Sequence, residues 1–280
     1  MNGSRTTRVA LGAWVVAILL FLLVPIAIIG VYAFNSSNVQ GWPIAGLSTK
    51  WFSRTWNDPE MRAALGLSVR AALVATGVAL VLGSAAAFGV SRYRFFGREA
   101  VSFLVVLPIA LPGIITGMAL NSFFSFWNVN LSYWTIVIGH ATFCIVLVYN
   151  NVLARLRRTS GSLVEASSDL GADGWQTFRY ITLPLISTAL IAGGLLAFAL
   201  SFDEVIVTTF TAGAQNTLPL WVFGNMRLGQ NLPEVNVVVL MVLAATVLPV
   251  ILAQRLTRDT GALRRGTVAA KVAGADATAA

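Results

Sequence analysis

Residues 155–184 read Arg155-Leu-Arg-Arg-Thr-Ser-Gly-Ser-Leu-Val-Glu165-Ala166-Ser167-Ser-Asp-Leu-Gly171-Ala-Asp-Gly174-Trp-Gln-Thr-Phe-Arg-Tyr-Ile181-Thr-Leu183-Pro184. The stretch is too hydrophilic to cross lipid and too regular for a mere linker. Leu163, Val164 and Leu170 give a short helix an apolar face. Hydroxyl groups at residues 159–162 are suited to cap that helix near Leu163, and Glu165 falls in its first turn, where negative charge is favoured. Gly171 and Gly174 then stop or bend it, because glycine accepts turn conformations closed to other residues. Trp175, Phe178 and Ile181 resume helical spacing and lead into Pro184, a residue suited to the start of a helix. The pattern predicts two short helices joined at a glycine turn, the second feeding an apolar span.

The rest of the chain supplies those spans. Hydrophobic residues fill 57% of 280 positions and charged residues only 11%, against roughly 25% charged in soluble domains. This composition is that of an integral membrane protein. Crossing about 30 Å of hydrocarbon takes ~20 helical residues. Six stretches qualify: 9–34, 65–90, 100–126, 131–154, 184–202 and 235–253. The basic residues set the orientation. Fourteen lie before span one, between spans two and three, between four and five, or after span six; five lie on the other side. The positive-inside rule therefore puts both termini in the cytoplasm. The net charge of +8 is topological, and it gives no sign of nucleic-acid binding, which gathers charge on one soluble face.

The organisation expected is a first helix and outer loop over 1–64, a core of five transmembrane helices over 65–255, and a disordered cytoplasmic tail over 256–280. The first apolar run of about 25 residues exceeds the 7–15 of a signal peptide's core, so it reads as a retained helix. Trp42, Trp51, Phe52 and Trp56 in the outer loop suggest a short helix lying at the headgroup level. Cys144 is alone, which rules out an intramolecular disulfide or a cysteine metal cluster. Neither a cofactor nor a metal is called for.

Span three contains Pro108, Pro112, Gly113 and Gly117, which predict a bent or broken helix, either lining a pathway or serving as a packing kink. The small residues 83–89 and Gly193-Gly194 suit close helix contact. At the end of span five, Asp203 and Glu204 stand between apolar residues. Acids in so costly a position suggest attraction of a cation, with Trp221 and Tyr133 as aromatic faces for an ammonium group. Acids on the outer surface, or paired with Arg227, would account for them equally. His140, in the middle of span four, reads as a buried, hydrogen-bonded side chain.

The spacing Glu165-Ala166-Ser167, three residues, Gly171, nine residues, Ile181, one residue, Leu183-Pro184 resembles the EAA loop of ABC-importer permeases. Every fixed position matches except the second Ala, which is Ser167 here. The resemblance implies an all-α integral membrane protein with the six-helix, N-in/C-in, type I ABC-importer permease fold and a cytoplasmic coupling helix. It assigns docking on an ATPase subunit to the segment from Leu163 to Gly171, with Glu165, Ala166 and Gly171 matching residue by residue and Ser167 as a small substitute. The segments Ser201-Phe202-Asp203-Glu204, Thr217-Leu218-Pro219 and Pro233-Glu234-Val235-Asn236 are similar to the second permease subunit of spermidine/putrescine-type importers. That likeness implies a polyamine or related amino compound as cargo. It also implies two cytoplasmic ATP-binding subunits, a second permease, an external solute-binding protein and a bacterial inner-membrane location. The chain lacks a Gly-Lys-Ser/Thr phosphate loop, since its lysines, Lys50 and Lys271, follow Thr49 and Ala270. ATP hydrolysis is therefore expected in a separate subunit.

Two other functions fit parts of the pattern. An ion-coupled secondary transporter of a cationic solute would use Asp203, Glu204 and His140, but such folds usually show two related halves and more spans. An intramembrane hydrolase would combine Ser201, Asp203 and His140. The chain has no nucleophile-elbow or HExxH pattern, and sequence distance cannot establish a triad.

Overall fold

The computed structural model describes residues 5–247, with side chains from residue 7. Its described residues are helical except for loops and an isolated antiparallel bridge between Asn35 and Leu47. Four helices are long and apolar enough to cross a membrane: Thr7–Ala33, Pro59–Arg92, Tyr133–Arg157 and Gly174–Phe202. A bent pair, Arg98–Ala110 and Gly113–Phe126, makes a fifth candidate if counted as one span. The expected sixth span, 235–253, begins in a shorter apolar helix, Leu232–Val247. Its remainder, the basic residues 255–271 and the tail 256–280 lie outside the described residues.

The chain divides into two compact units, residues 1–57 with 228–280, and residues 58–227. The first contains α1 (Arg5–Ala33) and α2 (Lys50–Asn57), together with the Leu232–Val247 helix. Ala33, Trp51 and Val237 are buried together, flanked by Phe52, Leu240 and Met241. The Trp51 indole Nε1 donates to the Asn35 carbonyl at 2.7 Å. Arg54 Nε meets the buried Glu234 carboxylate at 2.7 Å. Trp51 thus belongs to a core, whereas Trp42 and Trp56 are exposed as an interfacial anchor requires.

The second unit is built on three long helices: α3 (Pro59–Arg92), α6 (Tyr133–Arg157) and α9 (Leu183–Phe202). Asp58 starts α3 by accepting from the Glu60 amide at 2.8 Å, with Pro59 in the first turn. Ala71, Ala75, Ala79, Gly83 and Ala87, four residues apart, form a buried stripe on α3. Without large side chains there, α3 approaches α6 until a Cβ on Gly83 would stand 2.8 Å from the Ile145 carbonyl. The expected small-residue contacts are real at Gly83 and Gly193, while Gly89 faces open space. Apolar side chains such as Phe143, Val148, Tyr149, Val152 and Ile186 fill the remaining core.

The third expected span is broken. Leu111 precedes Pro112 and is forced into an extended conformation (φ −82°, ψ 143°). Its conformation ends α4 (Arg98–Ala110), and Pro112 opens α5 (Gly113–Phe126) after a bend of 106°. The polar hairpin follows as α7 (Ser162–Asp169) and α8 (Gly174–Thr177), with a π-helical turn, Phe178–Thr182, leading into α9. Pro184 has no N–H to offer the carbonyl one turn back and crowds it. The wider π turn just before it absorbs that mismatch without interrupting the helix. Beyond α9 lie α10 (Ile206–Thr211) and α11 (Leu218–Leu228).

Candidate functional site

Two regions gather the expected site residues. In the hairpin, α7 ends at Leu170, and Gly171 makes the turn at φ +83°. A Cβ at Gly171 would meet nothing within 4 Å, so backbone conformation alone selects glycine there. Asp173 restarts the helix. Its carboxylate accepts from the Gln176 amide at 2.8 Å while the Gln176 side chain accepts from the Asp173 amide at 3.0 Å, a reciprocal capping box. Gly161 occupies the formal cap position with no side-chain bond, and the expected hydroxyl comes from Ser160, which accepts from the Ser162 amide at 3.3 Å and lies 2.6 Å from the Ser162 hydroxyl.

Glu165, Ala166 and Gly171 are exposed, as are Leu163 and Leu170. Leu170 is 89% exposed. Ser167 alone of the five expected docking residues is buried. Its hydroxyl lies 2.7 Å from that of Thr177, joining α7 to α8. The one departure from the EAA pattern therefore stiffens the hairpin. Ser167→Ala is expected to cost about 1 kcal/mol by orphaning the Thr177 hydroxyl, whereas adding Thr177→Val restores most of the loss. Amide hydrogen exchange across α7 measures both effects; equal exchange in all three proteins would refute the link.

The second region is the break between α9 and α10. Asp203 caps α9 and is exposed; among the described residues it makes no ion pair with Arg227. Glu204 is half-buried, and its Oε1 accepts from the Val207 amide at 2.9 Å, helping to start α10. α5 supports α10 closely: a Cβ on Gly117 would stand 2.6 Å from the Phe210 ring, and Asn121 donates to the Phe210 carbonyl at 2.7 Å. The broken third span therefore braces the segment after the two acids. Trp221 is only 4% exposed, and Tyr133 is half-buried with its hydroxyl on the Arg70 carbonyl at 3.1 Å. No hydrogen bond among the described residues joins these aromatics to the acids.

His140 is buried, as expected, and it links both sides of the break. Its Nδ1 is 2.7 Å from the Ser201 hydroxyl and its Nε2 is 2.8 Å from the Thr208 hydroxyl. The Thr208 proton is committed to the Glu204 carbonyl at 2.7 Å. Nε2 must then carry the imidazole proton, and Nδ1 accepts from Ser201. Ser201 and His140 do meet, but the imidazole's other partner is Thr208, with no carboxylate orienting it. All three side chains are at most 2% exposed. This is a buried clamp, not the hydrolase triad considered from sequence. Nothing in the sequence around Thr208, Ile206-Val207-Thr208-Thr209, distinguishes it.

Residues 79–260 match the family described as "Binding-protein-dependent transport system inner membrane component". The chain belongs to that family. The permease is 37% identical over 258 residues to the putrescine transport system permease protein PotI of Escherichia coli K12, covering 88% of this chain and 90% of that relative. It is 34% identical over 253 residues to the spermidine/putrescine transport system permease protein PotC of the same organism, covering 90% and 95%. Among solved structures it resembles a bacterial ABC transporter involved in the import of the acidic polysaccharide alginate. The TM-score is 0.69 at 18% identity, over 91% of the permease and 99% of that chain. At that identity the likeness is one of fold. As a multi-pass inner-membrane component, the permease works within a system that also includes ATP-binding subunits, a partner permease and a binding protein.

Proposed function

We propose that the permease forms half of the translocation pathway of an ATP-driven importer for linear polyamines such as putrescine or spermidine, or for related amino compounds. Two cytoplasmic ATP-binding subunits power it, one of them receiving the α7 helix through Leu163, Glu165, Ala166 and Gly171. A second, different permease completes the pathway, and a binding protein delivers cargo from outside. Both termini lie in the cytoplasm, with the hairpin on the same side. The names of the two relatives support the cargo class.

One observation carries the mechanical reading. Gly174–Phe202 is an unbroken helical run of 29 residues, about 43 Å at 1.5 Å per residue. Through the Ser167–Thr177 bond, a displacement of α7 is passed to this rod, whose far end is the α9–α10 break beside Asp203 and Glu204. ATP-driven closure can thereby move the acids while the membrane spans stay in the bilayer. Asp203 and Glu204 would hold a cationic amine, because carboxylates at the end of a membrane-length helix attract positive charge. A negative charge at a helix C-terminus opposes the macrodipole, a cost consistent with function.

The test is ATP-dependent uptake of labelled putrescine into vesicles containing the assembled transporter. Asp203→Asn and Glu204→Gln should each lower uptake several-fold, and the double variant more. Gln at 204 keeps the oxygen that accepts from Val207, so loss of charge is isolated from loss of the cap. Unchanged uptake in both single variants and the double would remove the pathway assignment.

A further inference from the structure

A cavity of about 540 Å³ opens where the ends of α3, α4, α6 and α9 meet the start of α7. Its wall carries three guanidinium groups, Arg92, Arg98 and Arg157, against one carboxylate, Glu165. Arg92 Nη2 is held toward the Thr182 hydroxyl at 3.4 Å. Among the described residues the Arg98 and Arg157 side chains make no hydrogen bond or ion pair, and Glu165 pairs with none of the three. Like charges gathered around one cavity repel unless an anion sits among them. Arginine forks suit the oxygens of a phosphate group. Leu156, Leu185 and Ile186 add apolar surface to the wall. Guanidinium groups beside aliphatic surface, at the ends of membrane-length helices, match a phosphate joined to acyl chains. Basic pockets between transmembrane helices at this level hold anionic headgroups.

We infer that this cavity binds a phosphate-bearing anion and, because it lies at the ends of membrane-length helices, the headgroup of an anionic phospholipid such as phosphatidylglycerol. Because Gly161, Val164 and Glu165 of the hairpin form one side of the cavity, an occupied cavity would steady the start of α7. That consequence rests on α7 being the coupling helix; the binding itself does not.

The experiment uses the full chain purified in detergent with its transporter subunits, and counts retained lipid by native mass spectrometry. Phosphatidylglycerol and phosphatidylcholine are offered separately, with and without millimolar inorganic phosphate. The wild-type protein should retain phosphatidylglycerol over phosphatidylcholine. Retention should fall at least fivefold in Arg98→Gln/Arg157→Gln and persist in Arg94→Gln/Arg158→Gln, which removes as much charge outside the cavity. If inorganic phosphate occupies the wild-type site and is lost from the first variant while lipid retention is unaffected, the anion is a soluble phosphate. Equal phosphatidylglycerol retention in both double variants, with no phosphate binding, overturns the proposal. So does loss of the ATP-binding subunit from Arg98→Gln/Arg157→Gln with lipid retention intact, which would make the cavity a protein contact. Lipid counting involves no transport step, so its outcome is separate from that of the coupling assignment.

Discussion

Glu165→Lys is expected to abolish the stimulation of ATP hydrolysis by cargo-loaded binding protein while leaving the transporter inserted and folded. Glu165 is exposed and makes no ion pair or hydrogen bond through its side chain among the described residues, so little folding energy depends on it. Reversing its charge changes what α7 presents to a partner, and a misfit charge at a contact costs several kcal/mol. Stimulated hydrolysis should therefore fall at least about tenfold, the effect of ~1.4 kcal/mol. Gly171→Asp should do the same by another route. Its φ of +83° costs a non-glycine residue about 1–2 kcal/mol, and the strain is relieved by re-aiming the turn between α7 and α8. Full stimulation in both variants, measured on complexes of unchanged subunit content, would contradict the coupling role of the hairpin.

His140→Ala is expected to have the largest effect on stability. The substitution opens a cavity between α6, α9 and α10 and leaves the buried Ser201 hydroxyl without its acceptor and Thr208 without its donor. Cavity formation and orphaned polar groups together predict a loss of about 3 kcal/mol. The damage falls where α9 gives way to α10, so uptake should drop with stability. Thermal unfolding of the purified complex reads the first effect and vesicle uptake the second. A melting temperature within a degree of wild type would show that the clamp does not hold the break.

The sequence made some elements plain and hid others for physical reasons. The long apolar helices α1, α3, α6 and α9 follow from length and hydrophobicity, because lipid leaves few ways to satisfy a backbone. The glycine turn at 171 and the helices on either side were legible from spacing alone. Pro108 and Pro112 announced a bend, though not its 106° angle, which depends on how α5 packs against α10. The hydroxyls at 159–162 mark the start of α7, where Ser160 accepts from the Ser162 amide, and Asp173 and Gln176 have the capping-box spacing that marks the start of α8. Trp221 looked available to cargo and lies in a packed interior, because an aromatic near a membrane helix end serves packing as readily as recognition. The Ser201–His140–Thr208 clamp joins residues 61 and 68 positions apart, and only three-dimensional contact brings them together.

The most direct measurement places a cysteine at Ala166→Cys and asks what it touches. Cys144 is the chain's only other cysteine and is buried, so the new thiol on the exposed face of α7 is the one accessible thiol of this chain. A short thiol-reactive crosslinker should capture the ATP-binding subunit, at a yield that changes when ATP is added. Failure to capture that subunit in an intact, ATP-hydrolysing transporter, with or without nucleotide, would contradict the claim that α7 receives the force of hydrolysis.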